Sequence, residues 1–381
     1  MSQHHDLCNL LVDLRDARFA PPALSAALKE IERGGFTIER SGSASDRVLA
    51  WIDDEFGGSW SSEAFAASNF VARHRDELAG FVSFGAQDLR FSWLRGYGHR
   101  KDTGIFGPFG VAKAFRGSAI GPNLLIAALA ALLEQGSAFA LIPCVNDPGL
   151  IAYYIKHTGA HVIERFDRAV WHAHKYRTTV LASGNGSNFQ AVVDAVKDGR
   201  LPLHLSALLS NNSQAYALER AEMAGVAQVA TIGWVREKET RAAYDERLLT
   251  AVEKSEPELV LLLGWMHLLA TPFLERFPSV INIHPAFLPL DQSRERVGLP
   301  DGREIPAFRG AHAVRDALSA GSRWVGATVH LVSPDTDRGP VLMRKPLSIA
   351  PKDTEAAVMQ HLHPIEHRVL VGGIMRWIFE R

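Results

Sequence analysis

Three short segments carry the residue types that acyl-group chemistry needs. The first is NIHPAFLP, residues 282–289. Asn282 and His284 alternate along a predicted strand, so they share one face while Ile283 points to the other. Pro285 keeps His284 extended. An amide beside an imidazole can donate to an oxygen that gains negative charge, polarise a carbonyl or shuttle a proton. A structural Asn–His pair closing a turn before proline accounts for the same residues. The second segment is GATVHLVSPDTDRGP, residues 326–340, where a strand runs into a loop with Asp335, Asp337 and Gly339. A carboxylate there can hold an imidazole in one protonation state or position water. A turn rich in Asp and Gly is the plainer reading. The third segment is SGNGSN, residues 183–188, between a strand and a helix. Gly186, Ser187 and Asn188 could cradle a phosphate on the free N–H groups of the helix start. An ordinary N-cap by Ser187 or Asn188 serves equally well. A dinucleotide fits less well, because the acid expected about 20 residues on is replaced by SALLSNN.

These segments need a frame, and the pattern around them supplies one. Downstream of Arg177, apolar strands alternate with helices: TTVLAS, NFQAVVDAV, LHLSALLSN, ALERAEMAG, AAYDERLLTAVEKS, PELVLLLGW, TPFLERFP, SVINIH, AHAVRDALSAG and WVGATVHLVSP. That alternation predicts a mainly parallel sheet covered on both faces. Ligands of such sheets bind outside the carboxyl ends of the strands, where all three segments fall. Upstream, residues 104–136 also pass from strand through a Gly/Ser loop to a helix, followed by FALIPCV, LIAYYIKHTG and HVIERFDRAVW. VARHRDELAGFVSFG reads as a strand followed by a polar turn, and Trp51 and Trp60 around DDEFGGSWSS read as a loop or lid. The polar patch at His172–Tyr176 marks the join, giving expected domains 1–175 and 176–381. The rest of the first 68 or so residues is uninformative.

Composition sets outer limits. The chain has 381 residues, and 41 Lys plus Arg against 42 Asp plus Glu give a net charge of −1. Near-neutral charge argues against a broad basic face for nucleic acid or anionic membrane. A hydrophobic content of 47% with 22% charged residues excludes disordered and collagenous classes. The two cysteines, Cys8 and Cys144, make no disulfide framework and suit a reducing compartment. LVLLLGWMHLLA, about 12 residues, falls short of the about 20 a membrane span needs. A cytoplasmic protein without a membrane partner is expected.

The segments SGNGSN, GWMHLL, NIHPAFLP, RGAHAVRDAL, GATVHLV, DTDRGPVL and IEH occur in this order between Arg177 and Arg381. Together they resemble the glycinamide ribonucleotide formyltransferases and the wider folate-dependent formyltransferase family. The resemblance implies a Rossmann-like fold and formyl transfer from 10-formyltetrahydrofolate to an amine. It assigns Asn282, His284 and Asp337 to catalysis and brings His312 close to them. It matches Trp265, Met266, His267, Leu268 and Leu269, with the loop carrying Asp335 opposite, to the folate slot. Gly186, Ser187, Asn188 and Arg241 correspond to phosphate recognition, and Glu366 to an acid near the substrate amine. A solvated helix residue and a surface acid are the alternatives for Arg241 and Glu366. Two features depart from the family: a longer connection at 290–307, and HLHPIEH near the C-terminus. His361, His363 and His367 do not make a metal set, because Pro364 interrupts helical spacing. A related formyltetrahydrofolate hydrolase has a second His where this chain has Pro285, so hydrolysis ranks second.

The upstream half resembles the Gcn5-related N-acetyltransferase (GNAT) superfamily, which implies a mixed α/β sheet and an acyl-coenzyme A ester such as acetyl-CoA. Its pyrophosphate loop corresponds to Arg116-Gly117-Ser118-Ala119-Ile120-Gly121, with Ala119 in place of the first glycine. Tyr154 corresponds to the tyrosine near the thioester sulfur, a candidate general acid. A non-catalytic domain that binds the acceptor, forms a homodimer or senses the ester fits the same residues. The combined expectation is formylation of an amine or hydroxylamine of a small metabolite. A natural-product, siderophore or amino-sugar pathway is favoured over glycinamide ribonucleotide.

Overall fold

The structure, a computed structural model, describes residues 7–85, 100–166 and 172–381. The chain divides into two compact units, Met1–Trp171 with Ile378–Arg381, and His172–Trp377.

In the first unit the elements run β1 (Leu7–Asp13), α1 (Ala23–Arg33), β2 (Thr37–Ser41), α2 (Asp46–Glu55), α3 (Trp60–Ala66), β3 (Ser68–His74), β4 (Glu77–Phe84), β5 (Thr103–Val111), α4 (Ile120–Glu134), β6 (Phe139–Val145), α5 (Pro148–Thr158) and β7 (His161–Phe166). They form a mixed seven-stranded sheet of order β2-β3-β4-β5-β6-β1-β7, in which, among the described residues, only β5 and β6 pair in parallel. Helix α4 is nearly all Ala, Leu and Ile and is buried along most of its length, as a helix apolar all round must be. Helix α5 starts where Asp147 accepts from the Leu150 N–H at 2.7 Å and stops at Gly159 in the left-handed region, the caps that NDPG and HTG encode. The parallel pairing of β5 with β6 covers only Thr103–Ile105 against Phe139–Leu141. Beyond it β5 keeps to β4 and β6 keeps to β1, so the two strands part.

Three expectations are corrected here. VARHRDELAGFVSFG is a hairpin of β3 and β4, turning at Arg75, whose φ is 54°. Trp51 and Trp60 lie on helices, not in a lid: they flank Phe56 at 5.3 and 5.4 Å in a cluster that includes Phe81. The first 68 residues supply β1, an interior strand. The end of the strand expected over HVIERFDRAVW, residues 167–171, lies outside the described residues.

In the second unit the elements are β8 (Tyr176–Leu181), α6 (Ser187–Lys197), β9 (Leu203–Ser210), α7 (Tyr216–Met223), β10 (Gln228–Thr231), α8 (Arg241–Glu253), β11 (Leu259–Leu262), α9 (Thr271–Arg276), β12 (Val280–His284), β13 (Arg296–Gly298), β14 (Glu304–Pro306), α10 (Ala313–Ser319), β15 (Trp324–Leu331), β16 (Val341–Ser348) and α11 (Glu355–Phe379). The main sheet has the order β10-β9-β8-β11-β12-β15-β16. It is parallel from β10 to β12, with β15 and β16 added antiparallel. From β8 the chain builds outward through β9 and β10, then returns to add β11 and β12 on the other side. The reversal makes a switch point between β8 and β11, where such sheets open a crevice. SGNGSN follows β8, GWMHLL follows β11, and β12 ends at His284.

Helix α11 runs unbroken through Pro364, so that proline does not interrupt the helical spacing of the histidines. The carbonyl it leaves unbonded belongs to Gln360, and both residues are exposed, so water can satisfy it. Among the described residues, no helix is long and apolar enough to cross a membrane. None of their His, Cys, Asp and Glu side chains form a group of three or more that could hold a metal.

Candidate active site

Asn282 and His284 sit at the end of β12, and the register sets Asn282 opposite His330 and His284 opposite Thr328 on β15. Asp337 joins them from the loop after β15. Its carboxylate lies 3.5 Å from His284 Nδ1 through one oxygen and 3.5 Å from His330 Nε2 through the other. Three of the four predicted catalytic residues, Asn282, His284 and Asp337, therefore meet, together with His330, which sequence reasoning passed over. The segment GATVHLV shows only that His330 alternates with Thr328; the pairing of β15 with β12 is what brings it to Asn282.

The tautomers follow from the acceptors. His284 Nε2 lies 2.8 Å from the Phe308 carbonyl, which can only accept, so the neutral ring carries its proton there. Its Nδ1 lone pair is left facing Asp337. His330 Nδ1 likewise donates to the Leu331 carbonyl at 2.8 Å, leaving Nε2 to accept from the Asn282 amide at 3.3 Å. One hydrogen of Asn282 Nδ2 is thus used in orientation and the other is available to a ligand. Burial dominates at His284 and holds its pKa below the ordinary value, against the opposing pull of Asp337. Burial also resists the charge on Asp337. The adjacent imidazoles of His330 and His284 and the Gly310 N–H at 2.8 Å outweigh it and hold the carboxyl well below the usual range. The resting pair is neutral imidazole beside carboxylate, a site built to take a proton on Nδ1.

The loop pays for this geometry in its backbone. Asp337 has φ 52°, a region non-glycine residues seldom enter. At Gly339 a side chain would run into the Leu331 backbone, so only glycine lets the loop close on β15. His312 is exposed at the N-terminal end of α10. Among the described residues no hydrogen bond joins it to this cluster. Asp335 is exposed two residues before Asp337.

The cradle after β8 is built for close approach. Gly186 has φ 76°, and a Cβ there would lie 2.8 Å from that of Ala217. Ser187 and Asn188 open α6. Arg220 fastens the loop, donating to the Asn185 carbonyl at 2.9 Å and the Gln190 side chain at 3.1 Å. Ser187, Arg200, Arg220, His367 and Arg368, together with the carboxylate of Asp194, line a groove of about 460 Å³. Asn188 also donates to Glu366, which is 4% exposed. Burial pushes Glu366 up to about 7, with Asn188 acting in the opposite direction. Glu366 is therefore a buried acid that reaches the cradle, not a surface residue.

The loop after β11 exposes Met266 and Leu268 beside buried Trp265, whose indole nitrogen has no hydrogen-bond partner among the described residues. His267 is held by Asn211 and the Tyr244 hydroxyl, each at 3.1 Å. Burial lowers its pKa, with Arg241 acting the same way. Leu269 packs against the core beside Trp265. Arg241 bonds Asp245 at 2.8 Å, donates to the Leu268 carbonyl and lies over Trp234. Its contacts thus go to this loop, whereas sequence reading assigned it to the phosphate cradle. An apolar ledge with an orphaned buried donor fits a flat heteroaromatic ligand such as a pterin.

In the first unit, the loop Arg116–Gly121 leads into α4. Gly117 takes φ 82°, a conformation that favours glycine, while Ala119 has φ −68° and needs none. The replacement of glycine at 119 therefore costs the backbone nothing. Tyr154 is buried edge-on to Phe106 at 6.0 Å. Its neighbour Tyr153 is the one near the loop: a Cβ on Gly121 would lie 3.5 Å from the Tyr153 hydroxyl.

With these sites defined, the chain can be compared with known proteins. Residues 176–290 and 305–374 match the formyl transferase family, and residues 26–159 match the acetyltransferase (GNAT) family. Phosphoribosylglycinamide formyltransferase of Escherichia coli (strain K12) is 32% identical over 191 residues, 50% of this chain and 81% of that protein. The chain belongs to the formyl transferase family. Phosphoribosylglycinamide formyltransferase of Bacillus subtilis (strain 168) is 33% identical over 190 residues, covering 88% of its length. The structure of glycinamide ribonucleotide transformylase 1 from Symbiobacterium toebii is 33% identical, with a TM-score of 0.46 over 53% of this chain and 86% of that one. The chain thus joins a formyltransferase domain to a GNAT acetyltransferase domain, and the family implies a formyltetrahydrofolate donor.

Proposed function

We propose that the second unit transfers formyl from 10-formyltetrahydrofolate to the amine of a small metabolite that carries an anionic group. The observation that carries this reading is the meeting of Asn282, His284, His330 and Asp337 at one strand end. Asn282 donates its free amide hydrogen to the formyl oxygen as negative charge develops there. The amine bonds to the formyl carbon as the bond from that carbon to the folate nitrogen breaks. His284 accepts the amine proton on Nδ1, with ionised Asp337 stabilising the resulting imidazolium, and returns it to the folate nitrogen. The donor supplies an activated formyl group; Trp265, Met266 and Leu268 give its ring system an apolar ledge. The cradle at Gly186–Asn188 and its arginine-lined groove suit an acceptor phosphate or carboxylate. Glu366 in its ionised form suits the acceptor's amine.

The GNAT domain supports a second activity, acyl transfer from a coenzyme A ester bound where β5 and β6 part. A specialised pathway remains the favoured setting, since the 291–304 segment and the appended domain are additions to the formyltransferase frame. Absorbance assays of folate turnover against amines with and without an anionic group test the main reading. Formylation confined to anion-bearing amines is expected. Equal rates for acceptors lacking the anion would remove the cradle from the mechanism, and folate release without any amine would make the chain a hydrolase.

A further inference from the structure

Residues 291–304 fall between the two stretches that match the formyl transferase family. They are not a loose loop: β13 within them pairs with β14 (Glu304–Pro306) at their end as a small antiparallel hairpin. The Ala307 N–H closes back on the Glu295 carbonyl at 2.8 Å. Directly after it come three residues that all touch the catalytic pair. The Phe308 carbonyl receives the His284 proton, Arg309 Nε donates to the Asp337 carbonyl at 3.3 Å, and the Gly310 N–H donates to the Asp337 carboxylate at 2.8 Å. The hairpin grips both sides of this arrangement. The Arg294 carbonyl accepts from Arg309 at 2.9 Å, and the Gln292 carbonyl accepts from Arg338 at 3.0 Å. Glu295 pairs with Arg309 at 3.1 Å and also with Arg338, the residue after Asp337.

We propose that Glu295 is a positioning residue for formyl transfer: it ties the inserted hairpin to Arg309 and Arg338 and so holds Asp337 and the Phe308 carbonyl at their working distances from His284. The proposal rests on the formyl-transfer reading. Glu295 touches no reacting atom, and its side chain is 69% exposed while that of Arg309 is 11% exposed. An exposed ion pair adds little to global stability, but a carboxylate displaced by about 1 Å can cost up to 10²-fold in rate. Exposed charges are also screened by salt, which a purely structural contact would not reveal.

The test compares wild type, Glu295→Gln and His284→Ala in formyl transfer at low and high ionic strength. Hydrogen exchange is followed at residues 308–310 and 335–339. Glu295→Gln should lower kcat about tenfold with KM within about twofold, lose the salt dependence shown by wild type, and speed exchange in both segments. Wild-type kcat and wild-type exchange in Glu295→Gln would overturn the proposal while leaving the main reading intact. If wild type is no faster than His284→Ala, the formyl-transfer reading falls. Exchange then decides the brace on its own: faster exchange in Glu295→Gln upholds it, and unchanged exchange removes it.

Discussion

Asn188, in the first turn of α6, donates its amide to the buried carboxyl of Glu366 on α11. The cradle and the acid are therefore one unit, although nearly the whole second domain separates them in sequence. A carboxyl near pH 7 in the apo protein can be pulled into its charged form when a cationic amine arrives, and left neutral when none is present.

Glu366 makes stability depend on pH in a definite direction. Its folded pKa of about 7 lies above the ordinary 4.5, so the folded state keeps a proton that the unfolded state gives up. The stabilisation is full below pH 4.5 and lost as pH rises through 7, on the order of 3 kcal/mol in total. Glu366→Gln should match wild type near pH 4.5 and exceed it at pH 8. Denaturant titrations at the two pH values measure the gap, and equal midpoints at pH 8 would contradict it.

The catalytic pair should show a different profile. Burial holds His284 below its ordinary pKa, and Asp337 is held well below the carboxylate range. The base form therefore persists on the acid side of pH 6.5. We expect kcat to stay level between pH 6.5 and 8, while kcat/KM declines below pH 7 as Glu366 takes up its proton. His284→Ala and Asp337→Asn should each lower kcat by about 10²–10⁴ with an unchanged far-UV circular dichroism spectrum. Near-wild-type turnover in either would remove that residue from the mechanism.

Gly339 is a separate check on the loop. The added methyl of Gly339→Ala meets the Leu331 backbone, which cannot move without breaking the β12–β15 ladder. Roughly 1–3 kcal/mol of lost stability is expected, with a fall in kcat because Asp337 lies two residues away. A variant with wild-type stability and rate would show that the loop closes differently.

The two tyrosines of α5 separate function from packing. Tyr153→Phe should lower acyl transfer, read as thiol release from acetyl-CoA with amine acceptors, by more than about tenfold. Tyr154→Phe should leave the rate near wild type, because that ring is buried against Phe106. The opposite ranking would return the role to Tyr154.

How much of this could be read beforehand depended on how local the determinants were. Asn282, His284, Gly186 and the caps of α5 follow from strand alternation and glycine or proline chemistry within a few residues. Asp337 needed the family resemblance, because the turn that brings it to His284 is set by the β12–β15 register. His330 was missed because its value comes only from that register. Arg241 was matched to phosphate recognition through the resemblance alone, and its contact with the Leu268 carbonyl could not be read because a carbonyl carries no side-chain signal. Tyr153 and Tyr154 are neighbours on one helix, and only packing tells which faces the loop. The hairpin of β13 and β14 was invisible because its strands are three residues each, too short for any periodicity to show.

The order of the strands has a further consequence. The cradle follows β8, the apolar ledge follows β11 and the catalytic pair ends β12, three neighbours in one sheet. Neighbouring strands lie about 4.8 Å apart, so cradle and catalytic pair stand roughly 10 Å apart across the sheet. The sheet is then a ruler for the acceptor. On the proposed formyl-transfer reading, a molecule whose anion and amine are separated by that span would engage both ends, whereas a shorter one would have to release its anion before its nitrogen could reach the formyl carbon.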